Sequence, residues 1–188
     1  MKSLPILWTH SVFEESSLIS RLSQIRGIPE GFSFIHEPLL EIQQKIKVSG
    51  REIKKHQAIF VTSGHALNSL IEIVSLDLPV YAVGDQTRAC AKRMGLKKVI
   101  SAQGCSRDLK NRLVKELDPK KGALLYIRGN VVCGNIKKDL EKEGFYVNEI
   151  IGYNTESKKN IFSTNSRFFK GGKNTRCFLI LKEGGTNF

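Results

Sequence analysis

Cysteine is scarce in this 188-residue chain: there are four, at positions 90, 105, 133 and 177, with no Cys-x-x-Cys and no close spacing. That argues against a disulfide-stapled scaffold and a cysteine zinc site, and reads as the reduced thiols of a cytoplasmic protein. No apolar run approaches the roughly 18 residues a membrane helix requires, so no membrane association is expected. The stretch Met1–His10 carries one cation and too short an apolar run for a signal peptide. Acids are in deficit, with 18 Asp and Glu against 30 Lys and Arg, for a formal charge of +12. Neither paired carboxylates nor a metal-ligand cluster stands out, so no metal and no cofactor is expected.

What is present fits a globular chain with a real core, at 40% hydrophobic and 26% charged residues. From Lys158 onward, seven cations face the single acid Glu183, so +6 of the +12 sits in the last 31 residues. Such a charge suits a polyanionic partner, whether nucleic acid or a small polycarboxylate. The most informative segment is Pro79–Gly95. A short β-branched and aromatic run ends at Gly84, Thr87 follows, and an apolar-periodic helix stops at Gly95. A strand that turns tightly into a helix leaves backbone N–H groups free at the helix start, where the helix dipole also favours an anion. The pattern has a precedent at Ala58–Leu67, where Thr62, Ser63, Gly64 and His65 follow the strand.

The pattern predicts strands at Leu4–Trp8, Phe32–Ile35, Ala58–Thr62, Pro79–Val83, Val99–Ile100, Ala123–Ile127 and Phe145–Ile151, with Pro38–Ile42 extended. Helices are predicted near residues 13–26, 66–75, 85–94, 106–117 and 135–143, several closed by glycine. The alternation from 58 to 151 argues for a parallel, doubly wound α/β sheet of about five strands. Residues 1–35 form a β-α-β fragment that needs further elements. The tail offers two short apolar runs, 161–164 and 177–181, but no helix and no evident completion of that fragment.

An ordered series of segments resembles the uroporphyrinogen-III synthase family: Ile6-Leu7-Trp8-Thr9, Glu37–Ile42, Ile59–Ser63, Tyr81–Gly84 with Thr87, Leu125–Gly129 and Tyr153-Asn154-Thr155. The resemblance covers residues 1 to about 157. It implies two flavodoxin-like parallel-sheet domains joined by a two-stranded linker. Domain 1 would comprise 1–36 plus 155–188, the linker 37–42 and 151–155, and domain 2 the complete unit 43–150. The family would need several more strand-helix units after the returning linker, so domain 1 is expected to be incomplete through truncation or a frameshift. His10 and His65 stand where the family usually shows arginine and asparagine.

The resemblance also implies a lyase of haem biosynthesis that cyclises linear hydroxymethylbilane, with loss of water and inversion of ring D. It further implies no cofactor, a cytoplasmic monomer, and hand-over of the substrate from hydroxymethylbilane synthase. That substrate carries eight carboxylates and closes spontaneously, so the protein must chiefly dictate its fold. Thr9, His10, Thr62, Ser63, Gly64, His65, Gly84, Gln86, Thr87, Arg128 and Gly129 are the candidate substrate-binding residues. Tyr153 is the candidate general acid, a linker phenol facing the crevice between domains. Each has a plainer alternative. Thr62 and Ser63 could simply cap a helix, Gly84 make a tight turn, Arg128 form a structural ion pair and Tyr153 pack at a hinge. Two readings of other classes stay open: a truncated inactive paralogue, and a nucleic-acid-binding module using the tail's Arg167-Phe168-Phe169-Lys170. The second lacks any accompanying nucleic-acid motif.

Overall fold

The computed structural model describes residues 4–9, 32–73, 77–158 and 178–180. The expected helix near 13–26, the apolar run at 161–164, His10, Arg167–Lys170 and Cys177 lie outside the described residues. The chain divides into two units, Met1–Glu41 with Glu156–Phe188, and Ile42–Thr155.

In the first unit, β1 (Leu4–Trp8) and β2 (Phe32–His36) pair in parallel, from Leu4 opposite Phe32 to Trp8 opposite His36. The expected strands there are both present.

A six-stranded sheet, which falls mainly within the second unit, contains β3 (Leu40–Gln44), β4 (His56–Val61), β5 (Val80–Ala82), β6 (Val99–Ser101), β7 (Ala123–Gly129) and β8 (Val147–Ser157). Their spatial order is β3-β8-β7-β4-β5-β6, and every pairing from β8 to β6 is parallel. Counted in chain order from β4, the parallel strands run 3-2-1-4-5. This differs from the 2-1-3-4-5 of a flavodoxin sheet, and it places the reversal of order between β4 and β7. The carboxyl end of β8 runs on past the expected boundary to Ser157, with β3 beside it as a sixth, edge strand.

The connections are α1 (Gly50–Ile53), a 3-10 helix (Gly64–Ile73), α2 (Asp85–Arg93), α3 (Ser106–Glu116), a 3-10 turn (Pro119–Lys121) and α4 (Ile136–Lys142). Alternate residues of each strand feed two separate cores. Ile59, Val61, Leu125 and Ile127 meet Leu67, Leu70 and Ala91 on one face. Ala58, Phe60, Leu124 and Tyr126 meet Leu109, Leu113 and Leu140 on the other. Apolar burial on both faces is what lets short strands of continuous hydrophobicity persist; each such leucine contributes about 1.5–3 kcal/mol. A regular α-helix was the expectation for 66–75. The chain instead winds as a 3-10 helix over Gly64–Ile73, with Ala66, Leu67, Ser69 and Leu70 buried.

Between β7 and β8 the register shifts: Arg128 faces Ile151, but Gly129 faces Tyr153. Gly152 is therefore the extra residue of a β-bulge. Farther on, β9 (Phe178–Ile180) returns to the first unit and pairs in parallel with β1, giving the order β2-β1-β9. The tail thus does supply a strand to the amino-terminal fragment, from within the apolar run 177–181. Three residues sufficed, and the only sequence signal of so short a strand is its apolarity.

Candidate functional site

Ligands of open parallel sheets sit beyond the carboxyl ends of the strands, where strand order reverses. Here that place lies beyond β4 and β7. Val61, Ala82 and Ile127 are level across the sheet, so the residues that follow them share one edge: Thr62–His65, Val83–Thr87 and Arg128–Asn130. Of these, the sequence pattern singles out Thr62–His65, Gly84, Gln86, Thr87, Arg128 and Gly129.

Thr62 Oγ1 lies 3.3 Å from the hydroxyl of Tyr126, a nearly buried phenol whose ring stacks on Phe60 with centroids 4.5 Å apart. Desolvation pushes the Tyr126 phenol above its ordinary pKa, so it stays protonated and able to donate. Ser63 caps the 3-10 helix: its Oγ accepts from His65 N at 3.3 Å and its carbonyl from Ala66 N at 3.2 Å. Gly64 makes only ordinary contact, with Cys90 Sγ 3.8 Å from where a Cβ would stand.

At the second turn, Gly84 is the residue before α2, in extended backbone with φ −146°. A Cβ there would meet nothing within 4 Å. The backbone therefore does not demand glycine, and the position opens onto free space at a helix start. Gln86 is exposed, whereas Thr87 is 8% exposed and turned inward on α2. One turn along, Arg88 keeps its Nε buried without a hydrogen-bond partner among the described residues, and Nη1 is 3.9 Å from Asp85 Oδ1. Arg88 is not among the residues that the strand-end pattern singles out. Its signal was the i, i+4 spacing from Gly84 on a helix whose start was already singled out.

Arg128 is committed locally. Its Nε is 2.7 Å from Glu149 Oε1, and Nη1 donates to the carbonyl of Gly129 at 2.7 Å. The Nε–H does not lie along the line to the carboxylate, so charge rather than an aligned hydrogen bond holds the pair. The Arg128 guanidinium keeps the Glu149 carboxyl below its ordinary range. Glu149 and Tyr126 stand outside the residues singled out by the sequence pattern; Glu149 faces Tyr126 across the strands. Tyr126 precedes Arg128 by two and therefore shares its face.

Tyr153 is 7% exposed and belongs to the core on the other face. Its ring covers Gly129 so closely that a Cβ there would come within 2.8 Å of Cε2 and Cζ. The ring of His65 stands 5.7 Å away, tilted by 58°. Gly129, His65 and Tyr153 are thus brought together. Thr9 belongs to the first unit, where it is 8% exposed and its carbonyl accepts from Leu39 N at 3.2 Å.

Residues 28–174 match the family model described as uroporphyrinogen-III synthase HemD. No curated protein matches the sequence. The fold is similar to that of uroporphyrinogen-III synthetase from Helicobacter pylori, with TM-score 0.53 and 16% identity over 88% of this chain and 67% of that one. A mutant uroporphyrinogen III synthase from Thermus thermophilus aligns with TM-score 0.45 and 15% identity, over 83% of this chain and 64% of that one. The chain thus spans about two thirds of the length of these structures.

Proposed function

The chain belongs to the uroporphyrinogen-III synthase family, and from that premise we propose that it cyclises linear hydroxymethylbilane to uroporphyrinogen III. The family match across 28–174 carries the proposal. The chemistry of the edge supports it. The substrate's acetate and propionate arms need many modest donors rather than one strong catalyst. The turn at Thr62–His65, the open space at Gly84 with the start of α2, and Arg88 offer such donors. Arg128 serves differently: neutralised by Glu149, it shapes the turn at Gly129–Asn130 more than it attracts an anion.

Tyr153 is the proposed proton donor. Its phenolic proton goes to the hydroxymethyl oxygen as the C–O bond breaks, its electron pair leaving with the oxygen as water. The adjacent pyrrole nitrogen supplies the electrons that form the azafulvene. Ring D is attacked at its substituted carbon to give a spiro centre, then migrates. The proton lost from carbon as the macrocycle closes returns to the phenolate, so the only net loss is one water. Holding four rings in the folded pose supplies the selectivity, since unguided closure gives isomer I. The same reading makes residues 37–42 and 151–155 the outgoing and returning linkers of a cytoplasmic monomer fed by hydroxymethylbilane synthase.

The test is cyclisation of freshly made hydroxymethylbilane, with isomers I and III separated afterwards. Isomer III well above the spontaneous background is the expected result. Isomer I alone, from demonstrably folded protein, would overturn the proposal and leave an inactive member of the family.

A further inference from the structure

The bulge at Gly152 decides which face of the sheet Tyr153 occupies. Along β8, Val147 belongs to one core and Glu149 meets Arg128 on that same face, while Ile150 packs against the other core. Strict alternation would put Tyr153 with Val147 and Glu149. The unpaired Gly152 breaks the alternation, and Tyr153 joins Ile150 beside Ile127, Gly129 and His65. Bulges re-aim side chains in this way, but a bulge needs something to hold it.

Here the holder is a polar junction reached from three other elements. The carbonyl of Gly152 accepts from Gln44 Nε2 at 2.9 Å, Lys45 N at 2.9 Å and Ile46 N at 3.4 Å. The Gln44 amide also donates to Ser69 Oγ at 2.7 Å and to the Ile46 carbonyl at 3.2 Å. Ser69 is 1% exposed, and its own carbonyl accepts from Val48 N at 2.9 Å. The fit admits no side chain at the bulge: a Cβ on Gly152 would stand 2.4 Å from Ser69 Oγ and 2.9 Å from Ile127 Cγ2. So the end of β3, the 3-10 helix and β7 all close on one glycine, immediately before the tyrosine.

We infer that Gln44 and Ser69 are positioning residues: through the Gly152 carbonyl they hold the bulge that aims Tyr153 at Gly129 and His65. The inference concerns geometry first and rests on the proposed function only for its effect on rate. Gln44 is exposed and Ser69 buried, so they form two independent probes of the same junction.

The experiment compares Gln44→Met, which keeps length but loses both amide donors, and Ser69→Ala with the parent protein. Tyrosine rings are labelled with 13C, and the Tyr153 signal is assigned by its loss in Tyr153→Phe. Expected is a displaced Tyr153 signal in both variants, while those of Tyr81, Tyr126 and Tyr146 stay in place. In isomer III formation, kcat falls about ten- to a hundredfold with KM within about twofold, as for a misplaced reacting group. Gln44→Asn, which keeps the donors on a shorter stem, recovers part of the loss. An unmoved Tyr153 signal in folded Gln44→Met and Ser69→Ala overturns the inference whatever the rates. If the signal moves and Tyr153→Phe is fully active, the clamp stands and the proton-donor role of Tyr153 fails instead.

Discussion

Gly129 and Tyr153 were each visible in the sequence as a strand-end glycine and a linker phenol, yet nothing in the sequence says that one is the floor for the other. The contact depends on a register shift of one residue, and a lone glycine at 152 is a weak sign of a bulge. The structure makes the pair testable by a cycle. In the parent, Gly129→Ala forces a buried ring off its seat and costs about 1–3 kcal/mol in urea unfolding. In a Tyr153→Ala background most of that cost disappears, since the clashing atoms are gone. An equal penalty in both backgrounds would show that the ring does not rest there. The ion pair nearby gives a pH signature. Glu149 has its folded pKa lowered from an ordinary 4.5 by Arg128 beside it. Its contribution is therefore present above that unfolded value and is lost as pH falls through the lower folded one. The stability difference between the parent and Glu149→Gln should be constant near neutrality and shrink on acidification below about pH 4.5; a difference that grows there would contradict the pairing.

At the level of elements, the punctuation of α2 was legible and its meaning differs at the two ends. Gly95, just past the helix, has φ 87°, the left-handed conformation that favours glycine. Gly84, at the start, is extended with open space around it. Both read as glycines flanking a helix, so the sequence alone could not separate a backbone requirement from open space beside the helix start. The prediction separates them. Gly95→Ala lowers stability by about 1 kcal/mol and leaves KM for hydroxymethylbilane unchanged. Gly84→Ala leaves stability within about 0.5 kcal/mol and raises KM. Thermal unfolding and steady-state kinetics on the two variants decide it. The 3-10 helix shows the opposite limit of legibility: its buried positions Ala66, Leu67, Ser69 and Leu70 are three and four apart, a spacing that an α-helix accommodates as well, so only packing could choose between them.

For the molecule as a whole, alternation of apolar segments announced a parallel sheet, but strand order is a property of long-range pairing and differed from the flavodoxin pattern. That order gives meaning to the charge. Lys54-Lys55, Lys97-Lys98 and Lys120-Lys121 are all exposed and shortly precede β4, β6 and β7. Three dipeptides scattered through the sequence therefore line the amino-terminal edge of one sheet, the end opposite Thr62, Gly84 and Arg128. A strand of six residues such as β4 separates the two edges by about 20 Å. At physiological ionic strength charges are screened over about 8 Å, so these lysines contribute little at the proposed site. Lys98 also answers Asp77 at 2.9 Å in a pair so exposed that its removal costs little. Replacing all six lysines by glutamine should leave KM within about twofold at physiological salt, an effect far below that of a bound-carboxylate contact. At low salt, where screening is weak, a slower association is expected and kcat is not altered. A large rise in KM at physiological salt would mean that the polycarboxylate meets the other edge of the sheet, and the assignment of the carboxyl edge would have to be abandoned.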